Sequence, residues 1–127
     1  MNVAPPPPPP VTPQGRQDAC KTFLDQTKQL ITLASAFLFA PAAIVTWGTS
    51  LNSAKLSSVI PWFVAAEACF VLSVILGYIT IGTIAGTQND GTYNVFRVAT
   101  RGFSLAQFLF YLLGIVIFGI LMFKLYP

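Results

Sequence analysis

Residues 59–84 read VIPWFVAAEACFVLSVILGYITIGTI, and Glu67 is the one charged residue among them. As an α-helix at ~1.5 Å per residue this stretch reaches ~39 Å, longer than the ~30 Å hydrocarbon core of a bilayer. Its apolar residues occupy all sides of the helix, which is the pattern of a segment surrounded by lipid. Two more blocks repeat the pattern, residues 30–47 and residues 103–123, and neither carries a charge. The spacing therefore predicts an all-α integral membrane protein with three transmembrane helices.

Composition agrees. The chain is 54% hydrophobic and 9% charged, against roughly 25% charged in a soluble domain, which needs charge to cover its exterior. The net charge of +3 is not gathered into the basic, aromatic-interleaved stripe of a nucleic-acid binder. The chain has no histidine, which removes the usual axial ligand for haem and the commonest metal ligand. Cys20 and Cys69 sit at different expected depths, so they are poorly placed to bridge. No cofactor and no metal site is expected.

Upstream of the first block the chain changes character twice. Residues 1–15 contain six consecutive prolines, Pro5 to Pro10, and read as a disordered, polyproline-II-like arm. Residues 16–127 form the membrane domain. From Arg16 to Lys28, apolar Ala19, Cys20, Phe23, Leu24 and Thr27 recur at helical spacing, opposite Asp18, Lys21, Asp25 and Lys28. That is an amphipathic helix at headgroup level, running on into the first span. Pro41 lacks the amide that would bond the Phe37 carbonyl, so a kink is expected there. A polar connection, Gly48 to Ser58, precedes the second span, with Pro61 placed in that helix's first turn. Gly86 to Gly91 reads as the next break. Trp47, Trp62, Arg97 and Arg101 are suited to the two membrane interfaces.

Three crossings put the termini on opposite sides. Arg16, Lys21, Lys28, Arg97 and Arg101 fall on one side, Lys55 and Lys124 on the other. The positive-inside rule then puts the N-terminus in the cytoplasm and the C-terminus outside a plasma or inner membrane.

Polar positions inside the spans are the candidates for function. A carboxylate at mid-membrane costs ~2.5–3.5 kcal/mol, so Glu67 should pair, protonate or face water. The carbonyl of Phe37, freed by Pro41, is one expected partner. Tyr78 lies on the Glu67 side of the second span, and Gln107 of the third span is at its depth, so a Tyr78–Gln107 hydrogen bond is expected. Ala65, Cys69, Ser73 and Gly77 form a small-residue seam that lets another helix approach closely, a theme Gly82 and Gly86 extend.

No catalytic constellation appears, so the chain is not expected to be an enzyme. Its expected contacts are the lipid bilayer and either other membrane subunits or further copies of itself. Two functions follow: an accessory or structural subunit packed against a larger membrane complex, or a self-assembling pore whose path is lined by Glu67 and the Gln107 face.

Overall fold

A computed structural model describes residues 12–47 and 53–125; the side chains of residues 41, 42, 44–47 and 53–56 lie outside that description. Three helices make up the described chain: α1 (Pro13–Trp47), α2 (Ser53–Asn89) and α3 (Val98–Leu125). α2 packs along both neighbours, most extensively on α3, while α1 and α3 touch only briefly.

Successive helices are antiparallel, as paired depths show. Along α2 and α3, Thr83 meets Thr100, Ser73 meets Gln107, and Val59 meets Leu121 and Leu125. Along α1 and α2, Cys20 packs with Ile84, and Ala34 with Ala66 and Phe70.

The buried positions recur mainly at intervals of three, four and seven residues. On α2 they are Val59, Ala66, Cys69, Phe70, Ser73, Gly77, Thr80, Ile84 and Thr87; on α3, Thr100, Gln107, Gly114, Leu121 and Leu125; on α1, Cys20, Thr27 and Ala34. A seven-residue repeat of this kind is the knobs-into-holes seam of helices wound left-handedly.

Polar side chains share the interior with apolar ones, and large apolar side chains cover much of the exterior. Thr27, Ser73, Thr80, Thr87, Thr100 and Gln107 are buried, whereas Leu105, Leu109, Leu113 and Val116 are among the large apolar side chains exposed. α2 and α3 are long and apolar enough to cross a membrane, and only 28% and 17% of their most apolar stretches are buried. So low a burial is unlike that of the core helices of a soluble domain and supports a membrane location for α2 and α3.

The buried hydroxyls cost little because the helices absorb them. Thr27 donates to the Phe23 carbonyl at 2.9 Å, Thr80 to Leu76 at 2.8 Å, and Thr87 to Ile84 at 2.8 Å. Each bond reaches back three or four residues within its own helix.

Several boundaries differ from expectation. The stretch from Arg16 to Lys28 does run on into the first apolar block as one helix, but α1 already begins at Pro13, and Cys20 and Thr27 are buried in the seam. α2 starts at Ser53, inside the expected polar connection, so Pro61 lies in the helix interior and not in its first turn. Serines and Lys55 permit helix, and nothing before Pro61 breaks it. α2 also runs through Gly86 to Asn89. Its stop is Gly91, in the left-handed region at φ 67°, with the Gly91 amide donating to the Gln88 carbonyl. α1 is helical through Pro41 to Trp47. The side chains of Pro41 and Trp47, on which the expected kink and anchoring rest, and residues 1–11 of the proline-rich arm lie outside the described residues, whereas Pro13 to Gly15 of that arm open α1.

Candidate docking site and the buried polar seam

A cationic side chain meets an aromatic ring at each end of the bundle. At one end the Lys124 ammonium lies 5.3 Å from the Trp62 ring centroid. At the other the Arg101 guanidinium lies 5.3 Å from the Phe96 ring. Arg101 and Lys124 are separated by ~35 Å along α3 at helical rise, long enough to bracket a ~30 Å hydrocarbon core. Arg97 is exposed just before α3 begins.

Between these levels the three helices meet most closely at Gly77. A Cβ there would fall 2.6 Å from Ile31 Cγ1 and 2.7 Å from Gln107 Nε2. The missing side chain is thus the hole into which α1 and α3 each insert a residue. One level further along, a Cβ on Gly114 would come within 2.7 Å of the Phe70 ring. Phe70 stacks on Phe37 at 5.2 Å between centroids, and Tyr111 and Phe118 meet Phe37 edge-on at 6.3 and 5.8 Å. This aromatic cluster joins all three helices, and the reading of spans alone did not single it out.

Of the small-residue seam, Ser73, Gly77 and Cys69 are buried and Ala65 half-buried. A spacing of four drifts about 40° per step around a helix of 100° per residue. The fully buried partner at that level is Ala66. Gly82 and Gly86 have nothing within 4 Å of a built Cβ, so neither extends a packed seam within the chain.

Gln107 is fully buried, and neither its Nε2 nor its Oε1 has a hydrogen-bond partner among the described residues. The expected bond to Tyr78 is not made. Tyr78 follows Gly77, hence points about 100° away from the seam, and is 64% exposed. Ser73 does reach α3, donating at 3.0 Å to the backbone carbonyl of Gln107 and not to its amide. Thr100 donates to Thr83 Oγ1 at 3.1 Å, a second polar tie between the same helices.

Glu67 is half-buried on α2, one position past Ala66. It lies five residues from Trp62, ~7.5 Å deeper at helical rise. The expected bond to the Phe37 carbonyl is absent: Glu67 makes no hydrogen bond or ion pair within the described residues. The Phe37 level is filled by aromatic rings, which leave Glu67 at the flank of the seam.

Near the other end, Cys20 is buried against Ile84 and Val95, and that burial pushes its thiol pKa upward. Among the described residues no three His, Cys, Asp or Glu side chains lie together in a way that could hold a metal ion. Compared with protein-family models, curated proteins and solved structures, the chain matches none.

Proposed function

We propose that this chain is a non-catalytic accessory subunit that crosses the membrane three times and docks through the Glu67 face of α2 onto a larger membrane protein. Glu67 carries the reading. A carboxyl ~7.5 Å inside the Trp62 level costs ~2.5–3.5 kcal/mol in lipid, and the described residues supply no partner for it. A donor from a second subunit offsets that cost. The third crossing is supported by α1, a 35-residue helix antiparallel to α2 with Ala34 at the depth of Phe70. Five cations against two favour a cytoplasmic N-terminus, and a plasma or inner membrane.

In the pore reading Gln107 would line a path between copies. Its surface is entirely covered by its own chain, which favours the accessory reading.

The test is a photo-crosslinking amino acid at position 67, with position 116 on the lipid-facing side of α3 as control, followed by native mass spectrometry in mild detergent. Docking predicts one adduct of fixed mass from position 67 alone, with one copy of this chain beside a foreign subunit. Glu67→Leu should weaken that complex about threefold or more, as loss of a ~0.6 kcal/mol interhelical bond requires. Adducts only to further copies of the chain, or none, would overturn the reading.

A further inference from the structure

The brief contact between α1 and α3 leaves an open groove on one side of the bundle, at the Arg101 end. Two adjoining hollows of about 510 and 300 Å³ form it, sharing Phe108. The groove changes character along its length. Arg101, Ser104 and Phe23 stand at its mouth, while Gln29, Leu30, Leu33 and Phe108 line its deeper part.

We propose that this groove binds one phospholipid with an anionic headgroup, phosphate at Arg101 and an acyl chain along Phe108. Three observations carry it. Arg101 has no carboxylate partner among the described residues, and the face of Phe96 holds its guanidinium at the membrane boundary. The cation is at the mouth, and Leu30, Leu33 and Phe108 lie deeper, which is the order of headgroup and acyl chain in a lipid lying in its own leaflet. From Phe23 to Leu33 the groove runs ~15 Å at helical rise, half of a ~30 Å core and so the depth of one leaflet. A hydrophobic helix from another protein would match the deep part but leave Arg101 without an anion. The inference rests on the bundle being embedded in a membrane, and it needs no partner subunit.

The experiment uses the full chain in nonionic detergent, titrated with phosphatidylglycerol, phosphatidylcholine of the same acyl chains, or glycerol phosphate, and read by native mass spectrometry. One phosphatidylglycerol per chain should be retained in preference to phosphatidylcholine. Arg101→Gln should reduce that preference about fivefold, the share expected of one interfacial arginine, while Arg101→Lys keeps most of it. Leu105→Trp, at an exposed position lining the groove, should remove both lipid adducts with helix content unchanged by circular dichroism. Equal retention of the two lipids, or no effect of Arg101→Gln, would overturn the proposal. So would glycerol phosphate binding as well as the lipid, which would mark a site for a free anion. Because the chain is measured alone, these outcomes are independent of whether Glu67 docks onto anything.

Discussion

Replacing Gly77 by alanine tests the packing most sharply. The new Cβ would lie 2.6 Å from Ile31 Cγ1, 2.7 Å from Gln107 Nε2 and 2.9 Å from Ile31 Cδ1. The Gln107 amide is the end of a flexible side chain and can turn aside. Ile31 Cγ1 is near the root of a β-branched side chain and cannot, so α1 itself must move. Overpacking of this kind costs ~1–3 kcal/mol, while glycine to alanine inside a helix gains ~0.5–1 kcal/mol. Gly82→Ala has the same helical gain with nothing within 4 Å to meet it. The difference between the two variants therefore isolates the clash, ~1–3 kcal/mol against Gly77→Ala. Reversible unfolding in mixed micelles of nonionic detergent and dodecyl sulfate, followed by circular dichroism, measures it. Adding Ile31→Ala to Gly77→Ala should recover part of the loss. Two glycine variants equal within ~0.5 kcal/mol, the ordinary scatter of independent sites, would refute the three-helix junction.

The same assay separates two neighbouring positions. Gln107→Met should leave the bundle as stable or more stable by ~1 kcal/mol, because it removes a buried amide without partners and keeps the volume; a loss above ~1 kcal/mol would mean that the amide is bonded. Gly114→Ala should destabilise by ~1–3 kcal/mol against the rigid Phe70 ring, a loss that Phe70→Leu relieves. Cys20 should react slowly with a maleimide at neutral pH in the folded protein and quickly in dodecyl sulfate, since only the thiolate attacks and burial disfavours it. Equal rates in the two states would place Cys20 outside the packed seam.

The helices of the second and third apolar blocks were legible because lipid-facing segments announce themselves by composition. The expected spans 59–84 and 103–123 lie within α2 and α3, and the helix ends differ where polar residues such as Ser53 and Gln88 continue the helix beyond the apolar stretch. The seam was harder to see. In a soluble bundle apolar residues mark the buried face, but here many leucines and isoleucines point outward, and threonine, serine and glutamine share the interior with Phe70, Ile84 and Leu121. Hydrophobic periodicity therefore carries a weak signal for which face is inside. Small residues do carry one, and Ser73 and Gly77 fell on the seam. The four-residue spacing drew in Ala65 where the three-and-four alternation selects Ala66. Depth alone suggested Tyr78 for Gln107 and Phe37 for Glu67; rotation about the helix axis, which depth does not specify, separates the first pair, and an aromatic cluster occupies the Phe37 level of the second. The α1–α3 groove depends on which two helices fail to pack, a property of no single segment.

The central claim is a bundle of three crossings organised by α2, and the position of its two ends tests it most directly. Single cysteines at Thr12 and at Phe123, in a chain with Cys20 and Cys69 replaced by alanine, can be labelled from either side of sealed membranes with an impermeant maleimide. Three crossings predict that the two positions label from opposite sides, with Thr12 reached from the cytoplasmic face. Labelling of both from the same side would contradict the account, because α1 would then not cross and only α2 and α3 would remain as spans.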